Sequence, residues 1–143
     1  MKLTFVFFEK TRRVELRAVI EDYAGRIGRF AEVQINELRV DSAATLRKVR
    51  IEPGATVILL DDGGKVRTSA QFAAWLAATR DQGARELVFL CGAAGGVPEP
   101  LRSAATQKLS LSSLTYSHEL ARVMLLEQVY RAFAILAGHP YPK

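Results

Sequence analysis

Apolar positions along the chain fall into two alternating rhythms. Lys2–Phe8 is a dense β-branched and aromatic run that predicts a buried strand. Leu16, Val19, Ile20, Tyr23, Ala24 and Ile27 then recur at steps of three and four, one face of an amphipathic helix that Gly28 ends. Residues 31–38 alternate Val33 and Ile35 with Glu32, Gln34 and Asn36, a half-buried strand. Residues 42–52 predict a short helix carrying Arg47, Lys48 and Arg50, stopped by Pro53-Gly54. Residues 56–60 are a continuous apolar strand that runs into the turn Asp61-Asp62-Gly63-Gly64. Thr68 or Ser69 can cap the next helix, whose Phe72, Trp75, Leu76 and Thr79 share a face, with Gly83 in place to terminate it. Glu86–Cys91 is a fourth strand that empties into a glycine-rich loop, and residues 108–111 predict a fifth. His118–Leu136 is a long helix before the tail Gly138-His-Pro-Tyr-Pro-Lys143.

Buried strands separated by helices predict an α/β fold, a mostly parallel sheet flanked by helices. The length of 143 residues suits one domain over 1–143, and no repeat or linker divides it. The last helix is apolar around nearly its whole circumference. Two arrangements cover such a helix: the centre of a monomer, or a second subunit.

Charge changes this picture only mildly. The balance is +5, with eleven basic and seven acidic residues in 1–50, so a polyanionic partner is allowed and would meet the N-terminal third. A single cysteine, Cys91, excludes a disulfide framework, and with only His118 and His139 beside it no zinc site is expected; the metal expectation is none. No apolar run reaches the roughly 18–20 residues that span a bilayer, and the N-terminus carries no cleavage pattern, so a cytoplasmic protein with no membrane partner is expected.

Dinucleotide, P-loop and nucleophile-elbow fingerprints are absent. Cys91 and His118 form a thiol–imidazole pair on paper, although a lone cysteine ending a buried strand more often serves as a small core residue. The remaining candidates are the loops 92–98 and 111–117, which follow consecutive strands. Ligands of open α/β sheets bind outside the carboxyl ends of strands, where glycines let backbone groups approach closely. Turn glycines and capping serines would look the same.

The string Leu109-Ser-Leu-Ser-Ser-Leu-Thr-Tyr-Ser-His118, followed by Leu120-Ala-Arg-Val123, Glu127-Gln-Val-Tyr-Arg-Ala-Phe133 and Gly138-His-Pro-Tyr141, resembles a known family. It is similar to the bacterial large-subunit ribosomal RNA methyltransferases acting on N3 of a pseudouridine, members of the SPOUT superfamily. The resemblance implies a C-terminal trefoil knot, which no periodicity would suggest. It implies S-adenosylmethionine as cofactor, held at Leu60, Gly92, Leu111, Ser112, Ser113, Leu114, Thr115 and Tyr116. It further implies a homodimer, and large-subunit rRNA, within the ribosome and not DNA, as substrate. His139, Tyr141 and Arg122 are the candidates for the chemistry, Arg122 because a charge among apolar neighbours needs a partner. Arg131 can instead pair with Glu127 at i, i+4. The chain departs from the family pattern at Ala93 and Gly95, where a second glycine and then an acidic residue are usual, and at Pro142, where a second histidine is usual. A knotted RNA-binding or ribosome-assembly dimer with impaired catalysis is the alternative these departures motivate. An unrelated nucleotide-phosphate-binding module is a third.

Overall fold

The computed structural model describes residues 1–39 and 49–141. Five strands make one parallel sheet: β1 (Lys2–Phe8), β2 (Glu32–Leu38), β3 (Ala55–Val66), β4 (Glu86–Cys91) and β5 (Gln107–Ser110), in the spatial order β2-β1-β4-β3-β5. Alternation along the central strands explains why this sheet has two dry faces. Leu3, Phe5 and Phe7 of β1, with Leu87, Phe89 and Cys91 of β4, point to one side. Val6 and Phe8, with Val88 and Leu90, point to the other. Phe5 and Phe89, neighbours in register, stack with ring centroids 5.4 Å apart.

The two faces are covered unequally. The first carries the helices α1 (Val14–Ile27), α2 (Ser69–Asp81) and α4 (His118–Leu136), with α4 packed against both of the others. The second carries a thinner cover: Val97, Leu101 of the single-turn α3 (Leu101–Ala104), Ala105, Val49 and Ile51. The helix ends follow local sequence. Thr68 and Gln71 close a capping box on α2, which frees Ser69 to donate to Gln128 at 2.7 Å. Ser117 caps α4, and Gly83 leaves α2 at φ +92°.

Strand β3 differs from its expected form. The expected turn at 61–64 is instead a bulge inside one longer strand. Leu109 of β5 opposes both Leu60 and Lys65, so the four residues between them loop out of the ladder. A Cβ on Gly64 would lie 2.8 Å from the Leu109 backbone, which is why glycine stands there. Residues 42–48 of the expected short helix, with Arg47 and Lys48, lie outside the described residues, as does Pro142. Residues 49–52, including Arg50, are not helical.

Candidate functional site

Three loops leave the carboxyl edge of the sheet side by side: 61–64 inside β3, 92–98 after β4 and 111–117 after β5. They converge on a cavity of about 330 Å³. Its apolar wall is built by Leu59, Leu60, Val97, Leu109, Leu111 and Leu114. Its polar groups are Asp61, Asp62, Arg102, Ser112 and His118. This is the mixed lining of a small-molecule site, in the place where open α/β sheets bind ligands.

The glycine loop is shaped by close backbone approach. A Cβ on Gly92 would fall 2.7 Å from the carbonyl carbon of Gly96 and 2.9 Å from its Cα. Gly96 takes φ +82° and donates its N–H to Ala93 O at 2.9 Å, closing a tight turn over the cavity. Gly95, by contrast, has open space around it and would admit a side chain. In the other loop Ser112 braces the turn, its Oγ accepting from Leu114 N at 2.9 Å and its carbonyl from the Ser110 hydroxyl at 2.8 Å.

Of the eight residues expected around a cofactor, Leu60, Gly92, Leu111, Ser112, Leu114 and Tyr116 line this cavity. Ser113 and Thr115 are exposed on the same loop and are not part of its wall. Sequence reasoning missed Asp61, Asp62 and Arg102. The first two read as turn residues, yet they end a strand beside the other two loops, and that shared position was a usable signal.

Cys91 lies in the cavity floor, 1% exposed, and burial pushes its thiol up to about 12 against the opposing pull of the Arg122 charge. The group stays a neutral thiol at every physiological pH and makes no hydrogen bond with His118, so the paper pair is not an active nucleophile. Alkylation of native protein by iodoacetamide at pH 8 should run at least about a hundredfold slower than in urea, followed by mass spectrometry. Equal rates would show an accessible, ionised sulfur.

The three candidates for the chemistry are not brought together. Arg122 is fully buried, its charge disfavoured by desolvation; Nη1 donates to Thr11 Oγ1 and Nη2 to the Phe8 carbonyl, both at 2.7 Å. It faces no solvent, and among the described residues no carboxylate pairs with it. Tyr141 folds back onto α4 and α1. Its hydroxyl donates to Glu127 Oε2 at 2.6 Å and sits 3.1 Å from the Tyr23 hydroxyl. Burial first, and then the hydrogen bond to Glu127, push its ionisation upward, so this hydroxyl is a proton donor and not a base. Arg131 pairs with Glu127 at 2.7 Å, the i, i+4 partner expected of it. His139 is exposed, and its Nδ1 accepts from Tyr141 N at 3.2 Å, so its neutral ring carries hydrogen on Nε2.

Helix geometry separates this tail from the cavity. His118 lines the cavity at the start of α4, whereas Glu127 lies nine residues further on, about 14 Å along the axis at 1.5 Å per residue. The His139 N–H bonds Ala134 O, further still toward the opposite end of the helix. Among the described residues no helix is long and apolar enough to cross a membrane.

The chain matches a family model described as "Predicted SPOUT methyltransferase" over residues 1–142. It is 40% identical over 151 aligned positions to the ribosomal RNA large subunit methyltransferase H of Geobacter sp. (strain M21), covering 99% of this chain and 98% of that one. It is 39% identical to the protein of the same name from Koribacter versatilis, covering 99% and 97%. Among solved structures, a probable methylase family protein from Haemophilus influenzae superposes with a TM-score of 0.57 at 11% identity, over 99% of this chain and 70% of that one. The SpoU methyltransferase AviRb from Streptomyces viridochromogenes, solved with its cofactor AdoMet, gives 0.51 at 12% identity, over 92% and 57%. These two likenesses concern the fold.

Proposed function

The chain belongs to the ribosomal RNA large subunit methyltransferase H family of SPOUT methyltransferases, and on that premise we propose that its strand-end cavity holds S-adenosylmethionine for methylation of N3 of a pseudouridine in large-subunit rRNA. The observation that carries the reading is the convergence of three strand-end loops on one cavity, with Gly92 packed so tightly on Gly96 that only a bare backbone fits. The lining suits the cofactor's chemistry. Leu60, Leu111 and Leu114 offer an apolar slot for a flat base, and Asp61 and Asp62 offer carboxylates to a cation or to ribose hydroxyls. Arg102 offers a guanidinium to a carboxylate, and backbone groups of 92–96 and 111–116 complete the cradle. When bound, this cofactor supplies an electrophilic methyl on a positively charged sulfur.

What remains for the protein is to position the base and to handle its N3 proton. His139 supplies the imidazole of the tail: with Nδ1 accepting from Tyr141 N its neutral ring carries hydrogen on Nε2, and it takes the N3 proton at Nδ1 when the base displaces that amide; Tyr141, whose hydroxyl proton goes to Glu127, orients the tail. Because the tail docks far along α4 from its own cavity, it reaches a cavity most directly on a second copy of the chain. The surface of α4 fits such a partner. Leu120 and Met124, one turn apart, are 41% and 37% exposed, and Leu114 in the cofactor loop is 71% exposed. The working unit is therefore read as a homodimer with a cytoplasmic, ribosome-bound substrate. Exposed Arg12 and Arg13 are the basic groups best placed for RNA phosphates.

The test is mass spectrometry of rRNA nucleosides from strains with and without the gene, beside calorimetry of S-adenosylmethionine on purified protein. Loss of N3-methylpseudouridine in the deletion strain, restored by the gene, is the expected result. An unchanged modification would remove the substrate assignment, and cofactor binding without any methylation would favour the catalytically impaired dimer.

A further inference from the structure

Arg122 is the bulkiest of the fully buried side chains among the described residues, and no carboxylate pairs with it there. Its guanidinium lies over the Phe7 ring, 4.8 Å from the centroid, and makes the two hydrogen bonds to Thr11 and Phe8; among the described residues its Nε has no partner. Stability alone does not account for such a residue. A buried, incompletely bonded charge costs more than an apolar side chain of the same volume. What the guanidinium secures is the path of one segment, residues 9–13.

That segment is unusually constrained. It leaves β1 through Glu9 at φ +73°, a conformation that a non-glycine residue keeps only when its surroundings enforce it. Thr11 is 2% exposed and bonded at three of its polar groups: its hydroxyl accepts from Arg122, its carbonyl from Arg17, and its N–H donates to Glu37. On the outer side the N–H groups of Arg12 and Arg13 both donate to Glu119 Oε1, at 3.1 and 3.0 Å. Those bonds hold the Glu119 carboxyl below its ordinary 4.5, against the opposing pull of burial. Arg122 and Glu119 both belong to the first turns of α4, and the same turns present His118 and Ala121 to the cavity.

We propose that Arg122 is a positioning residue, which with Glu119 staples the basic segment 9–13 to the cavity wall so that RNA-facing side chains and cofactor site keep one fixed geometry. The inference rests on the function proposed above. Lys10, Arg12 and Arg13 project from a segment whose backbone cannot shift without the first turns of α4 shifting too. A substrate phosphate gripped by Arg12 or Arg13 is thereby held at a set distance from the methyl-donor site, and a displacement of about 1 Å in such a register is worth about a hundredfold in rate.

The experiment is a double-mutant cycle in methylation of large ribosomal subunits, with S-adenosylmethionine affinity and thermal midpoint measured on the same proteins. Arg122→Lys keeps the charge and loses the second donor. In folded Arg122→Lys, cofactor affinity should stay within about twofold while kcat/KM for the ribosomal particle falls at least about tenfold. Arg12→Ala with Arg13→Ala should impair the wild type and add little to Arg122→Lys, because the grip is already out of register. A lower thermal midpoint with unchanged kcat/KM per folded molecule, or fully additive losses, would overturn the proposal. Should Arg122→Lys fail to fold, the same cycle with Glu119→Ala, at the helix surface, decides by the same criterion. Failure of the wild type to methylate any ribosomal particle would take down the function itself, a result visible before any variant is made.

Discussion

Gly92→Ala should lose S-adenosylmethionine binding by at least about a hundredfold and methylation with it. The added methyl group would stand 2.7 Å from the Gly96 carbonyl carbon, 2.9 Å from its Cα and 3.1 Å from its oxygen, all backbone atoms. None can swing aside as a flexible side chain would. Gly96 is itself fixed by a positive φ and by its bond to Ala93, so relief requires the whole 92–97 turn to lift away from the cavity it roofs. Gly95→Ala is the matched control: nothing lies within 4 Å of its new Cβ, and affinity should stay within about twofold. Titration calorimetry on both proteins checks this, with thermal melts to establish that each is folded. Tight cofactor binding by Gly92→Ala would mean that the glycine loop is not the cradle.

Leu120→Glu combined with Met124→Glu should convert the protein to a monomer and reduce methylation at least about a hundredfold. Both side chains stand one helical turn apart on the open side of α4. Burying an aliphatic side chain of this size is worth about 1.5–3 kcal/mol, and setting two carboxylates into the proposed subunit interface reverses that gain. Activity should fall together with association because His139 and Tyr141 dock far along α4 from the cavity of their own chain. Sedimentation velocity reads the first effect and ribosome methylation the second. A sharper form mixes two inactive proteins, Gly92→Ala and a chain with His139→Ala and Tyr141→Ala. Exchange of subunits should restore activity that neither has alone. A fully active monomer, or mixtures that stay inactive, would confine the chemistry to one chain.

The elements most legible in the sequence were those whose pattern is local. The continuous apolar runs Lys2–Phe8 and Glu86–Cys91, the Thr68 cap and the Gly83 terminator each declare themselves within a few residues, and the structure follows them. The glycine loop could be placed at a strand end and therefore at a ligand edge. Pairings across the chain were not legible. Leu109 meeting both Leu60 and Lys65 depends on how β5 lies along β3, so Asp61-Asp62-Gly63-Gly64 read as a plain turn. The apolar context of Arg122 announced that the charge needed partners, but those partners lie 111 and 114 residues away, at the end of β1 and just beyond it, and nothing local links them to α4. His139, Tyr141 and Arg122 were candidates for one reaction. The length of α4 sets them apart.

The unequal clothing of the two sheet faces has a kinetic consequence. One face is locked under three packed helices, while the other carries Val97, Leu101 and their short neighbours, and Val97 and Arg102 of that light cover also border the cavity. Local opening draws on the least buried contacts first. Traffic of a small molecule through the cavity can therefore proceed by breathing of the thin side, while the helical side, which carries the stapled basic segment, stays still. Exchange of spent cofactor and retention of a bound ribosomal particle would then run on separate clocks.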